Sequence, residues 1–184
     1  GLAMAAHLSS EGNTVTLWNR SRETVSKLME TRTVHCYGKL QGSIPIHIVT
    51  DDIKTALKDP DIILITTPAS SHKELAELIA KNIKKSTVIV LNPGRTFGAL
   101  EFRNTYEQFN QSHPQVIAET QTIIYTCRKT AEDTVNMIAF KDSVLTYSLD
   151  IPSNEMIGYL PKCIQGYFIP AECMIQTSIG NVGM

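Results

Sequence analysis

The stretch from Asp61 to Gly94, DIILITTPASSHKELAELIAKNIKKSTVIVLNPG, decides the fold class of this chain. Its two ends hold short apolar runs, at 62–66 and 88–91, and a turn containing proline follows each run. Between them, apolar residues recur at helical spacing over residues 70–84. A buried strand, a helix and a second buried strand together form the βαβ unit of a parallel sheet. The sequence therefore predicts a Rossmann-like, doubly wound and mainly parallel α/β fold.

The same alternation extends toward the amino terminus. Short apolar runs predict strands over 14–18 and 47–49. Helix-forming segments predict helices over 1–8, 22–31 and 53–57. Residues 33–46 contain glycines, Tyr37 and Pro45, and this composition predicts irregular structure.

Beyond Gly94 the pattern changes from alternation to closely spaced strands. After a helix over 99–111, strand-like runs are predicted at 116–118, 122–127, 134–140 and 144–148. Little helix separates them, so we expect a partly antiparallel extension of the sheet. Further helices are predicted near 153–164 and from 170 or 171 to the end of the chain.

The bulk composition limits the class of protein. The chain has 184 residues, 42% of them hydrophobic, which is enough to bury a core. Its net charge of −1 comes from scattered charges, which argues against nucleic-acid or anionic-membrane surfaces. No apolar run is long enough to span a bilayer and no signal peptide is visible, so a cytoplasmic protein is expected. The four cysteines lack metal-ligand spacing and predict free thiols without a metal site.

The first residues resemble the end of a dinucleotide fingerprint. Gly1 precedes a helix rich in alanine, as the third glycine of such a fingerprint does, so that the helix can pack closely and face a pyrophosphate. The next strand ends at Asn19, which fits the fingerprint spacing of about 20 residues. The first strand and the leading glycines are then expected before Gly1, and the sheet is expected to lack that strand.

The end of the second strand indicates which dinucleotide binds. An acidic residue there would accept the ribose 2′-hydroxyl and repel a 2′-phosphate. This chain has Asn19, Arg20 and Ser21 instead, and Arg20 and Ser21 could donate to a phosphate. NADP is therefore favoured. In the alternative, Arg20 is a solvated residue, Asn19 alone serves the ribose, and NAD is allowed.

Two turns follow predicted parallel strands at the edge where ligands bind in open α/β sheets. They are Thr67-Pro68-Ala69 and Asn92-Pro93-Gly94. Glycine at the end of the second turn would let backbone amides approach a cofactor. The prolines could equally serve only to end the strands.

Three segments resemble the opine (octopine/nopaline) dehydrogenase family. They are LNPGRTFGALEFR at 91–103, AETQTIIYTCR at 118–128 and QTSIGNV at 176–182. The resemblance covers the whole chain in the family's order. The trio Arg95-Thr96-Phe97 departs from it, because the family has smaller residues there.

The resemblance implies an enzyme that joins an amino acid to a 2-oxo acid and reduces the imine with NADPH or NADH. It implies a nucleotide-binding domain over 1–168, and over 169–184 the start of a helical substrate and dimerisation domain, with a homodimer possible. It also implies that Asn181 orients nicotinamide and substrate. Independently of the resemblance, Glu119 lies where a strand end would face the cleft and is a candidate to contact the cofactor; in the alternative, it pairs with Arg128 or with water. The catalytic histidine is expected beyond Met184, so this chain alone should be inactive.

Rival functions remain open. Glycerol-3-phosphate and 6-phosphogluconate dehydrogenases share the nucleotide domain, but they place lysine where this chain has Asn92-Pro93-Gly94. Ketopantoate reductase is a third oxidoreductase option. A nucleotide-binding protein without catalytic activity is the alternative from another class.

Overall fold

The computed structural model describes residues 1–179. The helices are α1 (Leu2–Ser10), α2 (Arg22–Thr31), α3 (Ile53–Ala56), α4 (His72–Asn82), α5 (Gly98–Phe109), α6 (Ser153–Tyr159), α7 (Lys162–Gln165) and α8 (Met174–Ser178). The strands are β1 (Thr16–Trp18), β2 (Thr33–Gly38), β3 (Gly42–Pro45), β4 (Ile48–Thr50), β5 (Ile62–Ile65), β6 (Val88–Leu91), β7 (Val116–Thr120), β8 (Tyr125–Ala131), β9 (Thr134–Phe140), β10 (Val144–Ser148) and β11 (Phe168–Pro170).

The chain divides into two compact units. Unit 1 comprises residues 1–56 and 124–141, and unit 2 comprises residues 57–123 and 142–179. Each unit therefore draws on two separate parts of the sequence. The domain boundary between residues 168 and 169 stays a prediction.

Unit 1 holds two sheets. β1 and β4 form a parallel pair, and the second sheet has the strand order β3-β2-β9-β8. Helix α1 packs against strands of the second sheet, and its run of small residues allows this close approach. Ala3, Ala5 and Ala6 are at most 5% exposed, so the alanine-rich face of α1 forms part of the core of unit 1.

The prediction of irregular structure over 33–46 was wrong. β2 and β3 form an antiparallel hairpin, and β2 also pairs in parallel with β9. Gly38 and Gly42 both have positive φ, at 92° and 118°, which only glycine adopts at little cost. These glycines mark the hairpin turn, so their presence did not indicate the absence of strands.

Unit 2 is built on a five-stranded sheet in the order β11-β10-β7-β6-β5. β5, β6 and β7 run parallel, β10 is antiparallel to β7, and β11 is parallel to β10. Every residue of β6 is buried, whereas Ile62 to Leu64 of β5 are half-buried. β5 pairs only with β6 among the described strands, so its position at the sheet edge explains the difference.

The later segments refine three predictions. β8 begins at Tyr125 and belongs to unit 1, later than the predicted start at 122. The helix predicted near 153–164 is two helices, α6 and α7, because Pro161 cannot continue the first one. α8 begins at Met174 rather than at 170 or 171, because the residues before it form β11 and pair with β10.

The doubly wound, mainly parallel α/β class is confirmed by β5-α4-β6-α5-β7 in unit 2 and by the parallel β1–β4 pair in unit 1. Across residues 1–179, none of the helices has the length and apolar character needed to cross a bilayer.

Candidate functional site

The predicted cofactor residues of unit 1 lie at the carboxyl end of β1. The Asn19 amide donates to the Thr50 carbonyl of β4 over 3.2 Å. The Asn19 side chain accepts from the Ser21 amide at 2.9 Å, and Ser21 Oγ accepts from Thr24 N at 3.4 Å as the cap of α2. Arg20 is exposed between these two anchored residues. The turn therefore has a fixed backbone and presents the arginine outward.

Gly1 stands at the start of α1. Its carbonyl accepts from the Ala5 amide at 2.9 Å, which is the first bond of the helix. The amino end of this nine-residue helix carries the partial positive charge that favours an anion. The structure thus gives Gly1 the local setting that the fingerprint predicts.

Within unit 2, the turns after β5 and β6 and the end of β7 lie at one edge of the sheet. Leu91 pairs with Ile65 on one side and with Glu119 on the other, so the three strands end in step. The Asn92 amide donates to the Ile65 carbonyl at 2.7 Å, and Asn92 Oδ1 accepts from Thr120 Oγ1 at 3.2 Å. Asn92 is 1% exposed, and its peptide bond to Pro93 is cis. This asparagine joins the ends of all three parallel strands.

The turn after β5 is more open. Pro68 and Ala69 are exposed, and the Pro68 carbonyl accepts from Ser71 N at 3.0 Å at the start of a single 3₁₀ turn. Thr67 Oγ1 is buried and has no hydrogen-bond partner among residues 1–179. Pro68 and Ala69 are therefore open to contact by a ligand, whereas the Thr67 hydroxyl is enclosed.

Glu119 is the most deeply buried acidic residue of this edge, with no exposed surface. Its Oε1 accepts from Thr177 Oγ1 at 2.5 Å and from Ser178 Oγ at 3.1 Å. Its Oε2 accepts from the Ala99 amide at 2.9 Å, in the first turn of α5. Burial raises the pKa of the Glu119 carboxyl, and these three hydrogen bonds oppose that rise. The donors come from α5 and α8, so the side chain joins both helices to β7.

Gly94 leaves the space that this carboxyl group needs. A methyl group added to Gly94 would overlap Glu119 Cβ and would lie 2.5 Å from Oε2. The Gly94 amide donates to the Thr120 carbonyl at 3.0 Å, so the loop is fixed against β7. The structure therefore supplies a second reason for glycine here, beside the approach of a cofactor.

His72 lies beside the start of α5 and is completely buried. Its Nδ1 would be 3.1 Å from a Cβ at Gly98, so a side chain there would press on the ring. Neither ring nitrogen has a partner of hydrogen-bond geometry in the described chain. Burial lowers the pKa of His72, with the nearby Thr67 backbone opposing the shift, so the ring is held neutral.

Sequence reasoning missed the donors to Glu119. Thr177 and Ser178 follow Glu119 by 58 and 59 residues, and no local pattern connects them. The predicted catalytic residue Asn181 lies outside the described residues. Within residues 1–179, no group of histidine, cysteine and acidic side chains could hold a metal ion.

Comparison with known proteins identifies the sequence family. Residues 1–95 match the family described as NAD-dependent glycerol-3-phosphate dehydrogenase N-terminus. The chain is 32% identical over 188 residues to the opine dehydrogenase of Arthrobacter sp. (strain 1C), an alignment covering 99% of the chain and 51% of that protein. The predicted resemblance to opine dehydrogenases is thereby confirmed.

Solved structures agree in fold. Octopine dehydrogenase with NADH and pyruvate superimposes with a TM-score of 0.79 at 13% identity, covering 97% of this chain and 49% of that one. Yersinopine dehydrogenase with NADP+ gives a TM-score of 0.70 at 16% identity, covering 94% and 44%. The chain thus spans about half the length of the relatives it matches.

Proposed function

Since the chain belongs to the family of NAD-dependent glycerol-3-phosphate dehydrogenase N-terminal regions, we propose that the intact protein is an NAD(P)H-dependent oxidoreductase. We further propose the opine reaction, in which an amino acid and a 2-oxo acid condense and the imine is reduced. We choose the opine reaction because the match to opine dehydrogenase extends over more of the chain than the match to the glycerol-3-phosphate dehydrogenase family. The family match ends at residue 95, whereas the likeness to opine dehydrogenase covers 99% of the chain.

The residues of unit 1 fit the adenosine half of an NADP molecule. Ser21 Oγ accepts from Thr24 N, which leaves its own proton to donate to a phosphate oxygen. Arg20 is exposed beside it, and its guanidinium can form two parallel hydrogen bonds to the same group. The amino end of α1 at Gly1 would face the pyrophosphate. We therefore propose NADP as the preferred cofactor, with NAD as the alternative.

The residues of unit 2 that we assign to the cofactor lie at the carboxyl edge of its sheet. They are Thr67, Pro68, Ala69, Asn92, Pro93 and Gly94, and Glu119 lies beneath them in the interior. When bound, the nicotinamide supplies a hydride to the imine carbon. Asn92 fixes the edge by joining β5, β6 and β7, and the buried Thr67 hydroxyl lies in the turn after β5.

The reaction also needs a group that moves a proton near neutral pH. His72 is a poor candidate, because its ring is completely buried and burial lowers its pKa. We keep the predicted assignment, in which Asn181 orients the reactants and a histidine outside this sequence transfers the proton. Both assignments are proposals for the intact protein.

The deciding experiment follows NADPH oxidation by the intact protein with pyruvate or another 2-oxo acid, in the presence and absence of a panel of amino acids. We expect oxidation to require both substrates. Oxidation at the same rate without any amino acid would overturn the opine assignment.

A glycerol-3-phosphate dehydrogenase is the second candidate, because the family match over residues 1–95 bears that name. Such an enzyme would reduce NADP+ with glycerol 3-phosphate and would need no amino acid. Binding of NADPH without turnover of either substrate set would instead indicate a protein that binds nucleotide without catalysis.

A further inference from the structure

The carboxyl group of Glu119 occupies the position that a bound anion would take at the start of α5. Ala99 N, in the first turn of this 12-residue helix, donates to Glu119 Oε2 at 2.9 Å. A helix amino terminus favours an acceptor that carries negative charge, and here the protein supplies a carboxyl acceptor from its own β7. The Ala99 amide of the first turn is therefore already satisfied from within the fold.

The protein encloses the Glu119 carboxyl group completely in this arrangement. Its side chain has no exposed surface, and Thr177, Ser178 and Ala99 engage both oxygens. A cofactor or substrate could reach the carboxyl group only by displacing at least one of these donors. Glu119 can then affect a bound molecule only through the chain segments to which it is hydrogen-bonded.

One of those segments is the loop between β6 and α5. Arg95 and Phe97 have φ values of 63° and 53°, in the left-handed region that side chains other than glycine rarely adopt. The Phe97 amide donates to Ser178 Oγ at 3.1 Å, and the same hydroxyl donates to Glu119. The strained loop is thus fastened to the Glu119 carboxyl group through Ser178.

The other segment is α8, whose residues Thr177 and Ser178 provide two of the three donors to Glu119. α8 also packs on β10, and its Ile175 is 51% exposed. Backbone strain that is held in place by surrounding bonds tends to occur where a protein positions a ligand. The loop follows β6 at the ligand-binding edge of the sheet.

We propose that Glu119 is a positioning residue for the reaction of the intact protein. Its buried carboxyl group fixes the β6–α5 loop and α8 in the arrangement that meets the reactants, without touching cofactor or substrate itself. This inference rests on the proposed oxidoreductase function, and it replaces the direct cofactor contact that the sequence alone suggests for Glu119.

The first test measures the positioning without any turnover. We would compare amide hydrogen exchange in the intact protein and in Glu119→Gln, which keeps the side-chain volume but changes the hydrogen bonding. Exchange at the Phe97 and Ala99 amides should rise at least tenfold. The Thr87 amide, which donates to Gln115 Oε1 at the other end of β6, should exchange as before. Unchanged exchange at Phe97 and Ala99 would overturn the inference.

The second test separates positioning from direct binding. In Glu119→Gln, kcat should fall at least tenfold, whereas the Kd for NADPH should rise by a clearly smaller factor, which reflects the looser Asn92–Gly94 turn. A tenfold rise in Kd with unchanged kcat would overturn the inference in favour of direct contact. Thr177→Val removes one donor to Glu119 and should lower kcat by a smaller factor, so it provides the result if Glu119→Gln does not fold.

Thr105→Val is the matched control, since Thr105 is also a buried threonine, on α5, and no described bond joins its side chain to Glu119. It should leave kcat unchanged, and an equal loss of kcat in both threonine variants would overturn the inference. A different result would overturn the proposed function: the unaltered protein would then show no NADPH oxidation that depends on an amino acid. The exchange experiment still decides the role of Glu119 in that case.

Discussion

Replacing Gly94 by alanine tests how tightly the β6–α5 loop is packed on β7. The backbone at Gly94 does not have positive φ, so alanine introduces no conformational strain of its own. The change therefore adds one methyl group and nothing else. That methyl would overlap Glu119 Cβ and would lie 2.5 Å from Oε2 and 2.8 Å from Cδ.

The size of the effect follows from which atoms can move. Glu119 Cβ is attached to the β7 backbone, so rotation of the side chain cannot relieve that overlap. Overpacking of this kind costs about 1–3 kcal/mol. If the carboxyl group also shifts, it weakens its hydrogen bonds, which are worth about 0.5–1.5 kcal/mol each, or about 1.5–3 kcal/mol where the acceptor is charged. We expect Gly94→Ala to lower the free energy of unfolding by about 3 kcal/mol, an estimate that combines these terms.

Urea denaturation of the intact protein measures this loss as a lower midpoint with an unchanged slope. Gly158→Ala is the control, because Gly158 lies in α6 and nothing stands within 4 Å of an added Cβ. That variant should gain about 0.5–1 kcal/mol from the higher helix propensity of alanine. A midpoint for Gly94→Ala equal to that of the unaltered protein would refute the packing argument.

Three other changes test separate features. Arg20→Asp should lower the ratio of kcat/KM for NADPH to that for NADH by about tenfold, the equivalent of one charge-assisted hydrogen bond, and an unchanged ratio would refute its phosphate contact. Below about pH 6.5, His72 of the unfolded chain takes up a proton, whereas the buried ring of the folded protein resists protonation, so the free energy of unfolding falls. His72→Leu removes this group and should make that fall smaller. An acid-denaturation curve identical to that of the unaltered protein would contradict this. Lys27→Met should destabilise the protein at pH 7 but little at pH 2, because Lys27 Nζ lies 2.8 Å from the buried Asp133 carboxylate and lowers its pKa. Equal losses at both pH values would show that the ion pair is not responsible.

Local sequence signals predicted the elements whose stability is mostly local. Helix α2 was predicted with both ends correct, because Ser21 is a good cap and the residues after it favour a helix. The buried run of β6 was also predicted with its observed bounds, because Asn92 and Pro93 end it sharply. These signals depend on residues that are neighbours along the chain.

Two elements that depend on distant partners were not predicted. β2 is stabilised by β9, where His35 pairs with Thr134, almost a hundred residues later. β11 has only three residues and pairs with β10, so nothing in its own sequence distinguishes it from the start of a helix. The stability of such a strand depends on the residues of its partner as much as on its own residues.

The candidate site also has features that local sequence predicts and features that depend on distant residues. The rule for parallel strands predicted that the turns at Thr67 and Asn92 would share an edge, and the register of β5, β6 and β7 places them there. The fate of the Glu119 carboxyl group could not be predicted, since its donors lie on α5 and α8. A buried acid needs such donors, but its sequence position does not say which residues supply them.

Gln115 has a consequence for how this protein could be altered in the laboratory. Its side chain bonds the Thr87 amide at 2.8 Å and the Lys85 carbonyl at 3.0 Å, and so extends the pairing of β6 and β7 beyond the backbone ladder at their amino ends. Asn92 and Gly94 bind the same two strands at their carboxyl ends. With both strands held at both ends, the exposed residue Thr96 can be randomised in a library with little risk of shifting the strands, and Arg95 can be varied among residues that tolerate its positive φ, such as asparagine and glycine. Variants with new substrate preferences are best sought at these positions, because many different side chains can be introduced there without lowering the yield of folded protein.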